Sequence, residues 1–67
     1  MKAIIIDDEA KSRLALKQKL ADYCPEVTVA AEADNASDGI SLIELHKPQV
    51  IFLDIEMPRK NGFDMLQ

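Results

Sequence analysis

The sequence predicts an α/β fold built on a parallel sheet, and three observations carry that reading. Two short, continuous apolar runs, Ala3-Ile4-Ile5-Ile6 and Val50-Ile51-Phe52-Leu53, read as strands covered on both faces. Between them lie two stretches with apolar residues at helical spacing, separated by another strand-like run, so the elements alternate β-α-β-α-β. Both apolar runs end in acid: Asp7 and Asp8 follow the first, and Asp54 follows the second. In an open parallel sheet the ligand crevice lies outside the carboxyl ends of the strands. Two strands far apart in sequence therefore deliver their aspartates to one place.

The first strand covers about Lys2 to Asp7, and a helix follows from about Glu9 to Tyr23. Ser12, Leu16, Leu20 and Tyr23 share one face at helical spacing, with Ala15 at its edge. Leu14 falls opposite that stripe, and Lys11, Arg13, Lys17 and Lys19 read as a solvated face. Cys24-Pro25 ends the helix, because the residue before a proline is pushed out of the helical region. The second strand runs from about Val27 to Ala31, where Val27, Val29 and Ala31 alternate with polar or small residues, as at a sheet edge.

Asn35 reads as the N-cap of a second helix, with Asp38 at the third helical position. Ala36, Ile40 and Ile43 are expected to face inward, with Leu42 nearby. Lys47-Pro48 stops the helix, and His46 lies at its C-terminus, where a cation suits the helix dipole. The third strand covers about Gln49 to Asp54. Met57-Pro58-Arg59-Lys60-Asn61-Gly62 is a loop of turn formers, and Phe63-Asp64-Met65-Leu66 begins a third helix.

The acidic cluster needs a reason. Near ~4 Å and an effective dielectric of about 20, each pair of like charges costs roughly 4 kcal/mol. A hard divalent cation with oxygen ligands, Mg²⁺ above all, relieves that repulsion. Helix capping is the simpler explanation for Asp7 or Asp8, next to a helix starting near Glu9. It does not serve for Asp54, which precedes Ile55-Glu56-Met57-Pro58, a segment that does not start a helix.

Composition narrows the function classes. With 67 residues and a formal net charge of −4, the chain is one small unit, and its acidity argues against gripping nucleic-acid phosphates directly. The single cysteine, Cys24, excludes an internal disulfide. One cysteine and no signal peptide fit the cytosol, and the longest apolar run is far short of a membrane span.

These motifs together resemble the receiver domain of bacterial response regulators. The resemblance rests on Ile4-Ile5-Ile6-Asp7-Asp8-Glu9, on Phe52-Leu53-Asp54-Ile55-Glu56-Met57-Pro58, and on Asn61-Gly62 shortly after. Within that family, Asp54-Ile55-Glu56-Met57-Pro58 with Asp7-Asp8-Glu9 looks most like regulators carrying a LytTR-type DNA-binding output domain. The resemblance implies a truncated flavodoxin-like fold, with sheet order 2-1-3 and helices on both faces. It further implies that Asp54 is the phosphoacceptor. Asp8 would bind Mg²⁺ directly, Asp7 largely through water, and the backbone carbonyl of Glu56 would supply another ligand. The implied partner is a sensor histidine kinase acting as phosphodonor. The implied function is control of transcription in a parent protein, by a module that is not itself an enzyme.

The family pattern also has a Ser or Thr after its fourth strand and a Lys after its fifth. Neither has a counterpart within residues 1–67, and Lys60 does not match that lysine. The chain is therefore expected to be a partial receiver domain, lacking the fourth and fifth strands and any output domain, with DNA contacted only through the latter. The third strand would then be an open edge, which invites self-association. The competing reading is a half-domain that associates structurally and transfers no phosphoryl group.

Overall fold

The computed structural model describes residues 1–54, which form β1 (Lys2–Ile6), α1 (Ala10–Tyr23), β2 (Thr28–Ala33), α2 (Ala36–His46) and β3 (Val50–Leu53). The expected loop after Asp54 and the start of a third helix lie outside the described residues. The order in the sheet is β2-β1-β3, and both pairings are parallel, as the α/β reading required.

β1 is central, and Ala3, Ile4, Ile5 and Ile6 are all buried. An uninterrupted β-branched run suits such a strand, because both of its faces must be covered. Successive side chains point to opposite faces, so the strand divides its isoleucines between two layers. Ile4 and Ile6 join Ala33 in a core against which Ala31, Leu42 and Ile43 pack, and this is the face under α2. On the other face, Ile5, Leu16 and Phe52 border one crevice. Glu32, the register partner of Ile5, there meets Arg13 and Lys17 of α1. The two helices thus lie on opposite faces of the sheet.

The local signals at α2 operate as expected. The Asn35 side chain accepts a hydrogen bond from the Asp38 N–H at 2.8 Å, satisfying one of the donors a helix start leaves open. Lys47 closes the helix in the left-handed region, at φ 51°, and its N–H donates to the Ile43 carbonyl at 2.8 Å. The Lys2 ammonium donates to the His46 carbonyl at 3.1 Å, so a cation from β1 also serves this helix end.

Several expectations need correction. The inward side of α2 is carried by Gly39, Leu42 and Ile43, whereas Ala36 is exposed and Ile40 is 57% exposed. Gly39 is buried because α2 approaches β1 closely: an added Cβ would collide with Ile6 Cδ1. Hydrophobic periodicity cannot register a contact made by an absent side chain, so Gly39 escapes it, whereas Leu42 and Ile43 do pack on the core as expected. Tyr23 is 80% exposed despite its helical phase, because it is the last residue of α1 and a turn, not sheet, follows. β2 extends to Ala33, and its register shifts between Ala3 and Ile4, where Val29 and Ala31 are the successive partners. That bulge leaves Ala30 as the extra residue and breaks the simple alternation read from Val27 to Ala31. In β3, Val50 and Phe52 are half-buried, but Ile51 and Leu53 are 44% and 56% exposed among the described residues. Arg13 and Lys17 are not a solvated face: both pair with Glu32.

Candidate functional site

The parallel register brings the acids together. Ile6 pairs with Ala33 on one side and Leu53 on the other, so all three strands end level. Ladder bonds continue one residue further: the Asp7 N–H donates to the Ala33 carbonyl, and the Asp54 N–H donates to the Ile6 carbonyl, each at 3.0 Å. The backbones of Asp7 and Asp54 are therefore pinned at the carboxyl edge of adjacent strands.

Asp7, Asp8 and Asp54 each offer a carboxylate oxygen, and these atoms all lie within 4.8 Å of one another. Asp7 and Asp54 are half-buried and Asp8 is exposed. Leu16, Phe52 and Leu53 line the crevice beside Asp7 and Asp54. The site thus has acidic groups above an apolar floor. Apolar surroundings lower the local dielectric and strengthen the attraction of the acids for a cation.

Asp7 carries a second duty. Its Oδ1 accepts from the Glu9 N–H at 2.9 Å, an Asx-type turn that leads from β1 into α1. The capping explanation therefore holds in part for Asp7, although the N-cap position belongs to Glu9, whose side chain makes no capping bond. Asp7 Oδ1 is tied to this turn, which leaves Asp8 as the more accessible carboxylate on that strand end.

Sequence reasoning did not foresee the group that braces this turn. Arg13 Nη1 donates to the Asp7 carbonyl at 2.7 Å, and its Nε donates to Glu32 Oε1 at 2.8 Å. The other oxygen of Glu32 is taken by the Lys17 ammonium. The Glu32 carboxyl is held below its ordinary value, first by the hydrogen bond from Lys17, with burial opposing and Arg13 assisting. The available signal was an Arg and a Lys at i, i+4 on one helical face, opposite a lone glutamate in an edge strand. Glu56, whose carbonyl the family resemblance implicated, lies outside the described residues.

Comparison with known proteins adds the family context. The model of the response regulator receiver domain matches residues 3–67. A response regulatory protein of Vibrio cholerae is 38% identical over 63 residues, covering 94% of this chain and 24% of that protein. The nitrate/nitrite response regulator NarL of Escherichia coli is 41% identical over 63 residues, covering 94% of this chain and 29% of its own. A protein-glutamate methylesterase/protein-glutamine glutaminase of Carboxydothermus hydrogenoformans is 42% identical over 66 residues, covering 98% of this chain and 19% of the enzyme. The chain thus spans less than a third of each of these relatives.

Proposed function

The chain belongs to the response regulator receiver domain family, and from that membership we propose that it is a phosphoacceptor module of a two-component system, with Asp54 as the acceptor. The observation that carries this reading is the convergence of Asp7, Asp8 and Asp54 within 4.8 Å at the ends of β1 and β3. The donor set is all oxygen and anionic, which suits Mg²⁺. Two oxygens bound directly to one Mg²⁺ lie at most about 4.2 Å apart, twice a bond of about 2.1 Å. The 4.8 Å within which the three oxygens lie exceeds that limit, so the residues would fit the ion only once the site contracts or with one acid acting through a bridging water. Asp8 and Asp54 would hold Mg²⁺ directly and Asp7 largely through water, with the Glu56 carbonyl as a further ligand.

When bound, the ion would neutralise charge on the transferring phosphoryl oxygens. In the proposed transfer a carboxylate oxygen of Asp54 attacks the donor phosphorus. The bond from phosphorus to the donor's leaving atom breaks, its electron pair stays with the donor, and an aspartyl phosphate forms. The Asp54 N–H bond to Ile6 fixes the backbone from which the nucleophile projects. Leu16 and Phe52 line the crevice beside the acids. The module acts as a recipient of phosphate, with a sensor histidine kinase as donor, and is not itself the enzyme.

The wider assignments belong to the same proposal. Residues 1–67 would form part of a receiver domain in a cytoplasmic regulator. Among the described residues, no helix is long and apolar enough to cross a membrane. The relatives named above include both a nitrate/nitrite response regulator and a methylesterase, so receivers like this one accompany different outputs. The segment Asp54-Ile55-Glu56-Met57-Pro58 favours transcriptional control through a LytTR-type DNA-binding output. Association of two copies through β3 is the proposed contact between chains. Titration with Mg²⁺ followed by NMR tests the site: amides around Asp8 and Asp54 should shift saturably, and Asp8→Ala should abolish the response. Equal binding by Asp8→Ala would refute the assignment.

A further inference from the structure

We propose that Arg13 is a positioning residue for the carboxylate site, holding the Asp7–Asp8 turn in the orientation that cation binding needs; this rests on the metal-dependent reading of Asp7, Asp8 and Asp54 given above. β1 ends at Ile6, and among the described residues the ladder supplies a partner for the Asp7 N–H but not for the Asp7 carbonyl. Arg13 Nη1 takes that carbonyl at 2.7 Å. The carbonyl of Asp7 and the N–H of Asp8 belong to one rigid peptide plane. Fixing the carbonyl therefore fixes the direction in which the chain enters Asp8, the most exposed of the three acids.

The guanidinium is itself held. Its Nε donates to Glu32 Oε1 at 2.8 Å, and Lys17 secures the other Glu32 oxygen. Glu32 stands on β2 as the register partner of Ile5. The turn is thereby referenced to the sheet through a side chain and not only through the backbone. Arginine suits this task because its planar fork offers two donors in fixed directions, whereas a lysine ammonium is a single mobile point. A charge-assisted bond to a carbonyl is also stronger than a neutral one.

The sign of the effect separates positioning from charge. A guanidinium near the site repels an incoming cation, so electrostatics alone predicts tighter Mg²⁺ binding when Arg13 is removed. Positioning predicts the reverse. The experiment is a Mg²⁺ titration by NMR on the 67-residue chain and on Arg13→Lys, Arg13→Ala and Lys19→Ala, with a thermal melt of each; Lys19 is an exposed cation on the same helix. Both Arg13 variants should bind Mg²⁺ about tenfold more weakly, the scale on which supporting contacts tune metal sites. The Asp8 amide should move in metal-free Arg13→Lys, while Lys19→Ala should retain the affinity of the unmodified chain. Unchanged or tighter binding by a folded Arg13→Lys would overturn the proposal. So would a loss in Lys19→Ala equal to that in Arg13→Lys, which would trace the effect to any change on the helix. If the unmodified chain binds no Mg²⁺, the underlying site assignment fails first and this inference with it.

Discussion

The backbone N–H of Asp54 donates to the carbonyl of Ile6 at 3.0 Å. This bond continues the β1–β3 ladder one residue past the strand ends, where Ile6 pairs with Leu53. It connects residues 48 positions apart in sequence, since 54 − 6 = 48, and it sets the acid of one strand beside the two acids of the other. The site is in this sense a product of register. A slip of one residue in β3 would send every side chain of that strand to the opposite face.

The close approach of Gly39 to Ile6 predicts a coupled pair. In Gly39→Ala the added methyl collides with Ile6 Cδ1 and comes within 2.9 Å of Cγ1. Overpacking of this kind costs about 1–3 kcal/mol, against a helix-propensity gain of about 1 kcal/mol. Gly39→Ala should therefore lower the urea midpoint. Combined with Ile6→Val, which removes Cδ1, its cost should fall, giving a favourable coupling in a double-mutant cycle. Additive effects would mean that α2 sits further from β1 than described.

The Glu32 ion pairs predict a pH dependence of stability. The carboxyl is held below its ordinary value, chiefly by Lys17. A depressed folded value means that the stabilisation is complete above the ordinary carboxylate value and is lost as pH falls through the folded one. The gap in urea midpoint between the unmodified chain and Glu32→Gln should be largest near neutral pH and close on acidification. A gap that is constant or widens in acid would contradict the pairing.

The β3 edge predicts association. Ile51 and Leu53 are substantially exposed among the described residues, on a strand that pairs with β1 alone. Exposed apolar edges recruit partner strands. Sedimentation equilibrium over a wide concentration range should show concentration-dependent mass, reduced by Ile51→Lys. Ile5→Lys, which strikes the buried core, should instead unfold the chain. Monomer mass throughout would remove the β3 contact from the account.

What the sequence made legible follows from what side chains announce. Ile4 to Ile6 declared a strand covered on both faces because a face turned to water would have needed polar residues, and its central place follows from the sheet order β2-β1-β3. Asn35 declared a helix start because its side chain has a defined backbone donor to satisfy. The aspartates announced a convergence because each ends a strand-like apolar run, and the fold does bring Asp7, Asp8 and Asp54 within 4.8 Å. Gly39 stays hidden because it acts through having no side chain, and the periodicity points to Ile40 in its place. Glu32 stayed hidden because a charge after a small-residue strand reads as loop. Its partners Arg13 and Lys17 lie 19 and 15 residues away, where only the fold brings them near. Arg13 looks like surface in the sequence for the same reason.

The proposed role of Asp54 is to accept a phosphoryl group with the help of Mg²⁺ at Asp7 and Asp8. Intact-mass analysis after incubation with acetyl phosphate, with and without Mg²⁺, on the unmodified chain and on Asp54→Asn tests it. A single phosphoryl adduct that requires Mg²⁺, maps to Asp54 and is absent from Asp54→Asn is expected. An adduct that forms equally without Mg²⁺, or that persists in Asp54→Asn, would contradict it.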